Sequence, residues 1–297
     1  MLRVGIVTGA GLSHGPAFAA IINGGPGAPP EDIRGAFEDV RVTCVWDKEP
    51  DVAGKLAVDY GIDGVAASPA EVADGVDAIL VLDDGTMQHQ RQARPFLERG
   101  MPTFVDKPLS PDPAEAAEIV ALAKKHRAPF MSCSALRFAR ELIDARAQLD
   151  EIRPFAAACA VGPHELIYYG IHPCELLQAA IGAGVRAVQN VGAEGRHIVR
   201  LFYDDDRSAV LQVFEDIGYV FHLNVYGKGG WVSFAVTDHQ FFYTETMRQF
   251  VAMCRSGAAP FPPEDTLEII RTLWCARESA QEGGRIVKLE EASGRPG

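Results

Sequence analysis

Apolar residues in this chain come first as short unbroken runs and later as an alternating pattern. Arg3–Thr8, Arg41–Trp46, Ala78–Leu82 and Thr103–Val105 are compact apolar runs of the kind buried in a parallel sheet. Helical patterns separate them: Pro16–Asn23 opened by proline, Asp51–Tyr60, His89–Arg99, and Asp112–His126 with Ala116, Ile119, Val120 and Ala123 on one face. A brief strand is expected at Gly64–Ala66. Ser68, Pro69 and Glu71 then carry a capping signature for a further short helix. Strands alternating with helices over about 130 residues predict a right-handed, doubly wound parallel sheet.

The grammar changes after Pro129. Helices near Phe138–Leu149 and Tyr168–Ala180 bracket a strand at Phe155–Ala160. Four strand-like runs follow without a helix: His197–Tyr203, Ala209–Phe214, Tyr219–Tyr226 and Trp231–Val236. Short turns at 204–206 and 228–230 predict that they form an antiparallel sheet. Two helices, Thr244–Arg255 and Pro263–Glu282, close the chain. The expected fold is an α/β Rossmann domain over 1–128, followed over 129–297 by an α+β domain with a largely antiparallel open sheet.

Composition narrows the function classes. A 47% hydrophobic and 23% charged chain of 297 residues is ordinary for a globular protein. Its net charge of −12 repels phosphate backbones and anionic lipid, so neither nucleic acid nor a membrane is an expected partner. No apolar run reaches the roughly 18 residues that span a bilayer, and no secretory leader is expected. The six cysteines are scattered without metal spacing, which predicts reduced thiols, no metal and a cytoplasmic location.

Gly9-Ala10-Gly11 stands between the first strand and first helix, where a dinucleotide fingerprint belongs. Glycines there permit a tight turn and let backbone N–H groups approach a pyrophosphate. The third glycine of G-x-G-x-x-G falls on His14, with Gly15 beside it. Either the loop carries one extra residue or the helix packs more loosely on its strand. Asp47 ends the second strand, where a carboxylate accepts hydrogen bonds from ribose hydroxyls and repels a 2′-phosphate. NAD is therefore preferred over NADP, with Lys48 acting against that preference.

The stretch Asp77–Ser110 resembles the glucose-fructose oxidoreductase/inositol dehydrogenase/MocA family. It carries a strand, a loop, His89 opening a helix, Gly100 ending it, a further strand, and Asp106-Lys107-Pro108 where the family has Glu-Lys-Pro. Leu136-Arg137-Phe138 and the tail around Ala276–Ala280 are similar to later family segments. The resemblance implies that Lys107 lies near the nicotinamide and binds the reacting oxygen of the substrate. The family's D-x-G-x-H-x-x-D signature aligns with Tyr168–Glu175, which retains Gly170, His172 and an acid at 175 but has Tyr168 for the first Asp. It implies that His172 is the general acid/base. On a helix Tyr168, His172 and Glu175 share a face, so Tyr168 is expected to bond the imidazole in the Asp's place.

Expected cofactor contacts are Gly9, Gly11, Leu12, Asp47, Asp84, His89 and Lys107. Arg137, Tyr169 and Glu175 are expected near the substrate, with His164 a further candidate for the same cleft. The resulting expectation is an NAD(P)-dependent oxidoreductase acting on a small sugar, polyol or related carbonyl or imine compound. A catalytically silent dinucleotide sensor or partner subunit, and an NAD-assisted elimination or hydrolysis without net redox change, remain as alternatives. In the family the second-domain sheet often packs against its copy, which implies a homodimer or homotetramer.

Overall fold

The computed structural model describes residues 1–30, 37–83 and 85–292. They divide into two compact units. The first takes in Met1–Ser110, Ala117–Cys133 and Tyr243–Pro263, and the second Pro111–Ala116, Ser134–Phe242 and Glu264–Gly297. The boundary expected at 128/129 compares with Cys133/Ser134 here. The return of 243–263 to the first unit has no counterpart in the expected division.

The first unit is built on six parallel strands: β1 (Leu2–Val7), β2 (Val40–Trp46), β3 (Gly64–Val65), β4 (Ala78–Val81), β5 (Thr103–Val105) and β6 (Phe130–Met131). Their order in the sheet is β3-β2-β1-β4-β5-β6. This is the doubly wound arrangement, and its switch point lies between β1 and β4, where Ile6 pairs with Leu80. Val4, Ile6, Val7, Ile79 and Leu80 are wholly buried, as strands covered on both faces must be. β6 was not among the expected strands, since two residues carry too little pattern.

Helices α1 (His14–Asn23), α2 (Pro50–Tyr60), α3 (Pro69–Gly75), α4 (His89–Glu98) and α5 (Pro113–His126) connect these strands. Ser68 caps α3 by accepting from Glu71 N at 3.3 Å, and Glu71 reaches back to Ala67 N at 2.8 Å. The first helix corrects the sequence reading. It starts at His14, two residues before Pro16, because His14 and Gly15 are anchored by side-chain bonding and close packing described below.

The second unit carries β7 (Phe155–Pro163), β8 (Val185–Asn190), β9 (Arg196–Tyr203), β10 (Ser208–Phe214), β11 (His222–Gly227), β12 (Gly230–Ala235) and β13 (Val287–Lys288) in the order β12-β11-β7-β10-β9-β8-β13. β9/β10 and β11/β12 are the expected hairpins. They do not pair with each other, because β7 enters between them, antiparallel to β11 and parallel to β10. The sheet is therefore mixed and mostly antiparallel.

Helix α8 (Ile171–Ile181) packs on β7, β10 and β11. The helix expected over 138–149 is instead a 3₁₀ turn, Ala135–Phe138, followed by α6 (Arg140–Asp144) and α7 (Arg146–Glu151), which divide at Ala145. Helices α9 (His239–Ser256) and α10 (Pro263–Gln281) complete the fold. Among the described residues, no helix is long and apolar enough to cross a membrane, and no group of three or more His, Cys, Asp or Glu gathers as a metal set.

Candidate active-site residues in each unit

In the first unit β1 feeds a turn at its carboxyl end. Thr8 and Gly9 take positive φ values of 62° and 71°. A Cβ on Gly9 would stand 1.9 Å from Leu82 O, so the turn lies directly against the end of β4. A Cβ on Gly15 would stand 2.2 Å from Gly9 O. Close packing of helix on turn, the task of the third fingerprint glycine, thus falls to Gly15. Of the two readings of this departure, the loop with one extra residue describes the geometry.

A cavity of about 360 Å³ opens beside this turn, lined by Gly9, Gly11, Leu12, Asp47, Asp83 and Thr86 among others. Asp47 is placed at its wall, where its carboxylate accepts from Ala10 N at 3.0 Å and Glu49 N at 3.2 Å. Besides facing the cavity, it ties down the glycine turn. Asp83 accepts from Thr86 N at 2.7 Å, Gln92 Nε2 at 2.5 Å and the Thr86 hydroxyl. Burial pushes this carboxyl up, but those donors outweigh it and hold Asp83 at about 2. Its neighbour Asp84, an expected cofactor contact, lies outside the described residues.

Lys107 follows β5 at its carboxyl end and is 6% exposed. His89 is fully buried, with Nδ1 3.0 Å from both Pro108 O and Leu109 O. It supports the turn after Lys107 from behind and is not among the residues lining the cavity. A direct cofactor contact was the expectation for His89; its burial makes it a brace for the lysine's turn.

In the second unit His172 is the second residue of α8. Its Nδ1 lies 2.7 Å from Ser134 Oγ. Tyr168 sits in the turn before the helix, not on its first coil, because α8 starts three residues later than expected. The shared helical face predicted for 168 and 172 is therefore not formed. Tyr168 donates its backbone N–H to Glu165 Oε1 at 3.0 Å, and its ring is 5.7 Å from Tyr169.

Arg137 and Glu175, expected near the substrate, are brought to each other. Arg137 Nε binds Glu175 Oε1, and Arg137 also binds Gln178 Oε1. Glu175 is 1% exposed and Arg137 8%. Burial pushes the Glu175 carboxyl up, against the pull of Arg137. Its second oxygen accepts from Ser134 N at 3.3 Å. The pair therefore stands behind Ser134, which in turn meets His172.

Tyr169 packs edge-on against His164 at 4.3 Å and against His172 at 5.5 Å. Phe221 lies 5.3 Å from His172, with Tyr219 5.3 Å further on and 60% exposed. An aromatic surface thus surrounds the histidine.

Ser134 is the residue that sequence reasoning missed. A serine ahead of Leu136 signals a cap, and its Oγ does accept from Leu136 N at 3.2 Å. Nothing local points from it to a histidine 38 positions on.

Residues 2–133 match the family described as oxidoreductase family, NAD-binding Rossmann fold. Myo-inositol dehydrogenase Hyg17 of Streptomyces leeuwenhoekii is 40% identical over 90 residues, 30% of this chain and 27% of that protein. Inositol 2-dehydrogenase of Corynebacterium glutamicum (strain R) is 34% identical over 93 residues, with the same shares. The matched stretch thus spans about a quarter of the length of these relatives. Among solved structures, a probable dehydrogenase from Thermotoga maritima superposes with a TM-score of 0.84 at 18% identity, covering 98% of this chain and 100% of that one. GenD2 from gentamicin A biosynthesis, in complex with NAD, gives 0.83 at 18%, covering 97% and 96%. Identities this low carry the likeness of fold alone.

Proposed function

We propose that this chain, whose residues 2–133 match the family described as oxidoreductase family, NAD-binding Rossmann fold, transfers a hydride between a bound nicotinamide dinucleotide and a small polar metabolite. The observation that carries this reading is the glycine turn at the β1/β4 switch point. Gly9 and Gly15 leave no room for a Cβ, which packs the turn on the end of β4 and the start of α1 on the turn. Backbone N–H groups at a helix start held in this way suit a pyrophosphate. These residues fit a dinucleotide.

Gly9, Gly11 and Leu12 would hold the pyrophosphate, and Asp47 the adenosine ribose. A carboxylate at the cavity wall favours NAD over NADP, and the exposed Lys48 moderates that choice. When bound, the nicotinamide supplies the hydride acceptor or donor.

The remaining roles belong to this chain's own side chains. Lys107, held in the turn that His89 braces, binds and polarises the substrate oxygen. His172 exchanges the substrate proton. Its ring is oriented through Nδ1 by Ser134, which assigns the exchange to Nε2. Arg137 and Glu175 act as the scaffold beneath Ser134, and Tyr169 offers a ring face to the substrate. Tyr168 stands at the edge of that surface.

The relatives are named inositol dehydrogenases, so polyols and cyclitols head the substrate panel, followed by sugars, ketones and imines. Steady-state turnover of NADH with a member of that panel is the expected result. Cofactor binding without turnover across it would favour a silent sensor or partner subunit. One observation leans that way: His172 Nδ1 meets a neutral hydroxyl, where the family signature places a carboxylate. Product formation without net NADH would mark the elimination or hydrolysis reading.

We also assign the second-unit sheet to self-association, as a homodimer or homotetramer, in a cytoplasmic protein. Trp231 and Tyr226 are register partners on β12 and β11 and are 63% and 48% exposed. Light scattering tests this, and a strictly monomeric mass would end it.

A further inference from the structure

His14, the residue by which the loop before Gly15 exceeds the G-x-G-x-x-G spacing, and Asp106, directly before Lys107, lie far apart in sequence. In the first unit they meet. His14 Nδ1 donates to Asp106 Oδ2 at 2.6 Å, and the two residues are 6% and 1% exposed. The other carboxylate oxygen, Oδ1, accepts the backbone N–H of Lys107 at 2.7 Å. One carboxylate therefore grips both the first residue of the dinucleotide helix and the main chain of the lysine.

The rest of the environment fixes the imidazole. Phe18 stacks on it at 5.3 Å with the planes 15° apart, and the Tyr243 ring packs edge-on at 5.3 Å. The Tyr243 hydroxyl lies 3.3 Å from Nε2. The ring is thus held on a face, along an edge and at both nitrogens. Burial pushes the Asp106 carboxyl up, but the charge and hydrogen bond of His14, with the charge and N–H of Lys107, hold it below the ordinary range.

Each member of the pair depends on the other. A glycine at 14 would leave a buried carboxylate one donor short. A glutamate at 106 would drive a longer side chain into a ring that packing does not let retreat. We propose that His14 and Asp106 form one positioning pair, which fixes Lys107 relative to the glycine turn. The proposal rests on the cofactor-binding reading for its purpose, and on the geometry alone for its existence. Neither residue is a catalytic group; the pair acts on NADH binding through the start of α1, which His14 opens, and on the lysine through the Lys107 main chain.

The test is a double-mutant cycle on the full-length protein with His14→Gly, Asp106→Glu and the two combined. NADH affinity is read by fluorescence titration. The rate at which Lys107 reacts with an amine-acylating reagent is read by mass spectrometry. Each single variant is expected to weaken NADH binding and to change Lys107 labelling by about 10-fold, since a displacement near 1 Å at a positioned group costs on the order of 10²-fold. The combined variant should lose no more than the worse single variant, to within about 3-fold, a coupling that independent sites do not show.

Single-variant losses that simply multiply in the double variant would overturn the pair. So would variants that melt earlier yet keep parental affinity and labelling when folded, because that is a purely structural role. If the single variants do not fold, His14→Gln and Asp106→Asn keep the shape and remove the charge. They are read in the same two ways, with a smaller change in the same direction. Should the parent bind neither NADH nor NADPH, the cofactor reading fails by itself. Lys107 labelling then decides the pair: coupled changes support it, and unchanged rates in every variant refute it.

Discussion

Asp106 and Glu175 are both 1% exposed, and each stands behind a residue assigned to chemistry, yet their surroundings move them in opposite directions. Asp106 lies below the usual carboxylate range and Glu175 above it. The cost of burial is common to both. Asp106 is met by His14 and by the charge and N–H of Lys107. Glu175 has Arg137 and Ser134 N, but the Asp265 carboxylate opposes them. Partner count and sign therefore decide the outcome, not depth. The structural consequence differs as well: Asp106 binds the main chain of Lys107 directly, whereas Glu175 binds Ser134, whose hydroxyl meets His172.

The largest expected effect comes from removing the groups these carboxylates support. With a substrate identified by screening, His172→Ala should lower kcat by about 10²- to 10⁴-fold, the usual worth of a general acid/base. NADH affinity should be unchanged, because the cofactor contacts proposed are Gly9, Gly11, Leu12 and Asp47. A kcat near that of the parent would remove His172 from the chemistry.

Breaking the buried pair comes next. Arg137→Met leaves Glu175 without its cation, and a broken buried pair costs about 3–5 kcal/mol. Urea unfolding should show that loss at neutral pH. The loss should shrink as pH falls and Glu175 takes up a proton. A loss independent of pH would mean that Glu175 is already neutral in the parent.

A third carboxylate, Asp83, lies at about 2 against an ordinary 3.8. A depressed folded value stabilises above the unfolded one, and that stability disappears as pH falls from 3.8 to about 2. The contribution amounts to about 2 kcal/mol at neutral pH. Asp83→Asn should remove much of it at pH 7 and little at pH 2, in parallel denaturation series. Equal losses at both ends would place its role in packing instead of charge.

The smallest effect is that of Ser134→Ala, about 1 kcal/mol of stability for one hydrogen bond. It should also shift the pH profile of kcat, which a structural serine would not do. An unmoved profile would detach Ser134 from His172.

Much of this was readable from pattern, for identifiable physical reasons. β4, β5 and most of β1 are buried on both faces, so their apolar runs are nearly unbroken, while β2 alternates buried and half-buried residues; the alternation with helices follows directly. The hairpins β9/β10 and β11/β12 carry their own turns. The insertion of β7 between β10 and β11 leaves no local mark, because it is a pairing of distant segments. His14 reads as a defect in a glycine motif until Asp106, 92 positions away, is placed beside it. Glu175 reads as a site acid because helical spacing puts it beside His172, and only the fold supplies Arg137 to absorb it. Ser134 carries a cap signal and no sign of its histidine. Local rules thus found the elements and the motif residues, while long-range partners decided what those residues do.

The central claim is that the glycine turn of the first unit binds a nicotinamide dinucleotide and that Lys107 acts on the substrate rather than holding the fold. Calorimetric titration of the purified protein with NAD(H) and NADP(H), beside a Lys107→Ala variant, tests it most directly. Saturable NAD(H) binding, weaker NADP(H) binding and little loss of affinity in the variant are the expected results. No heat with either cofactor, from protein shown to be folded, would contradict it.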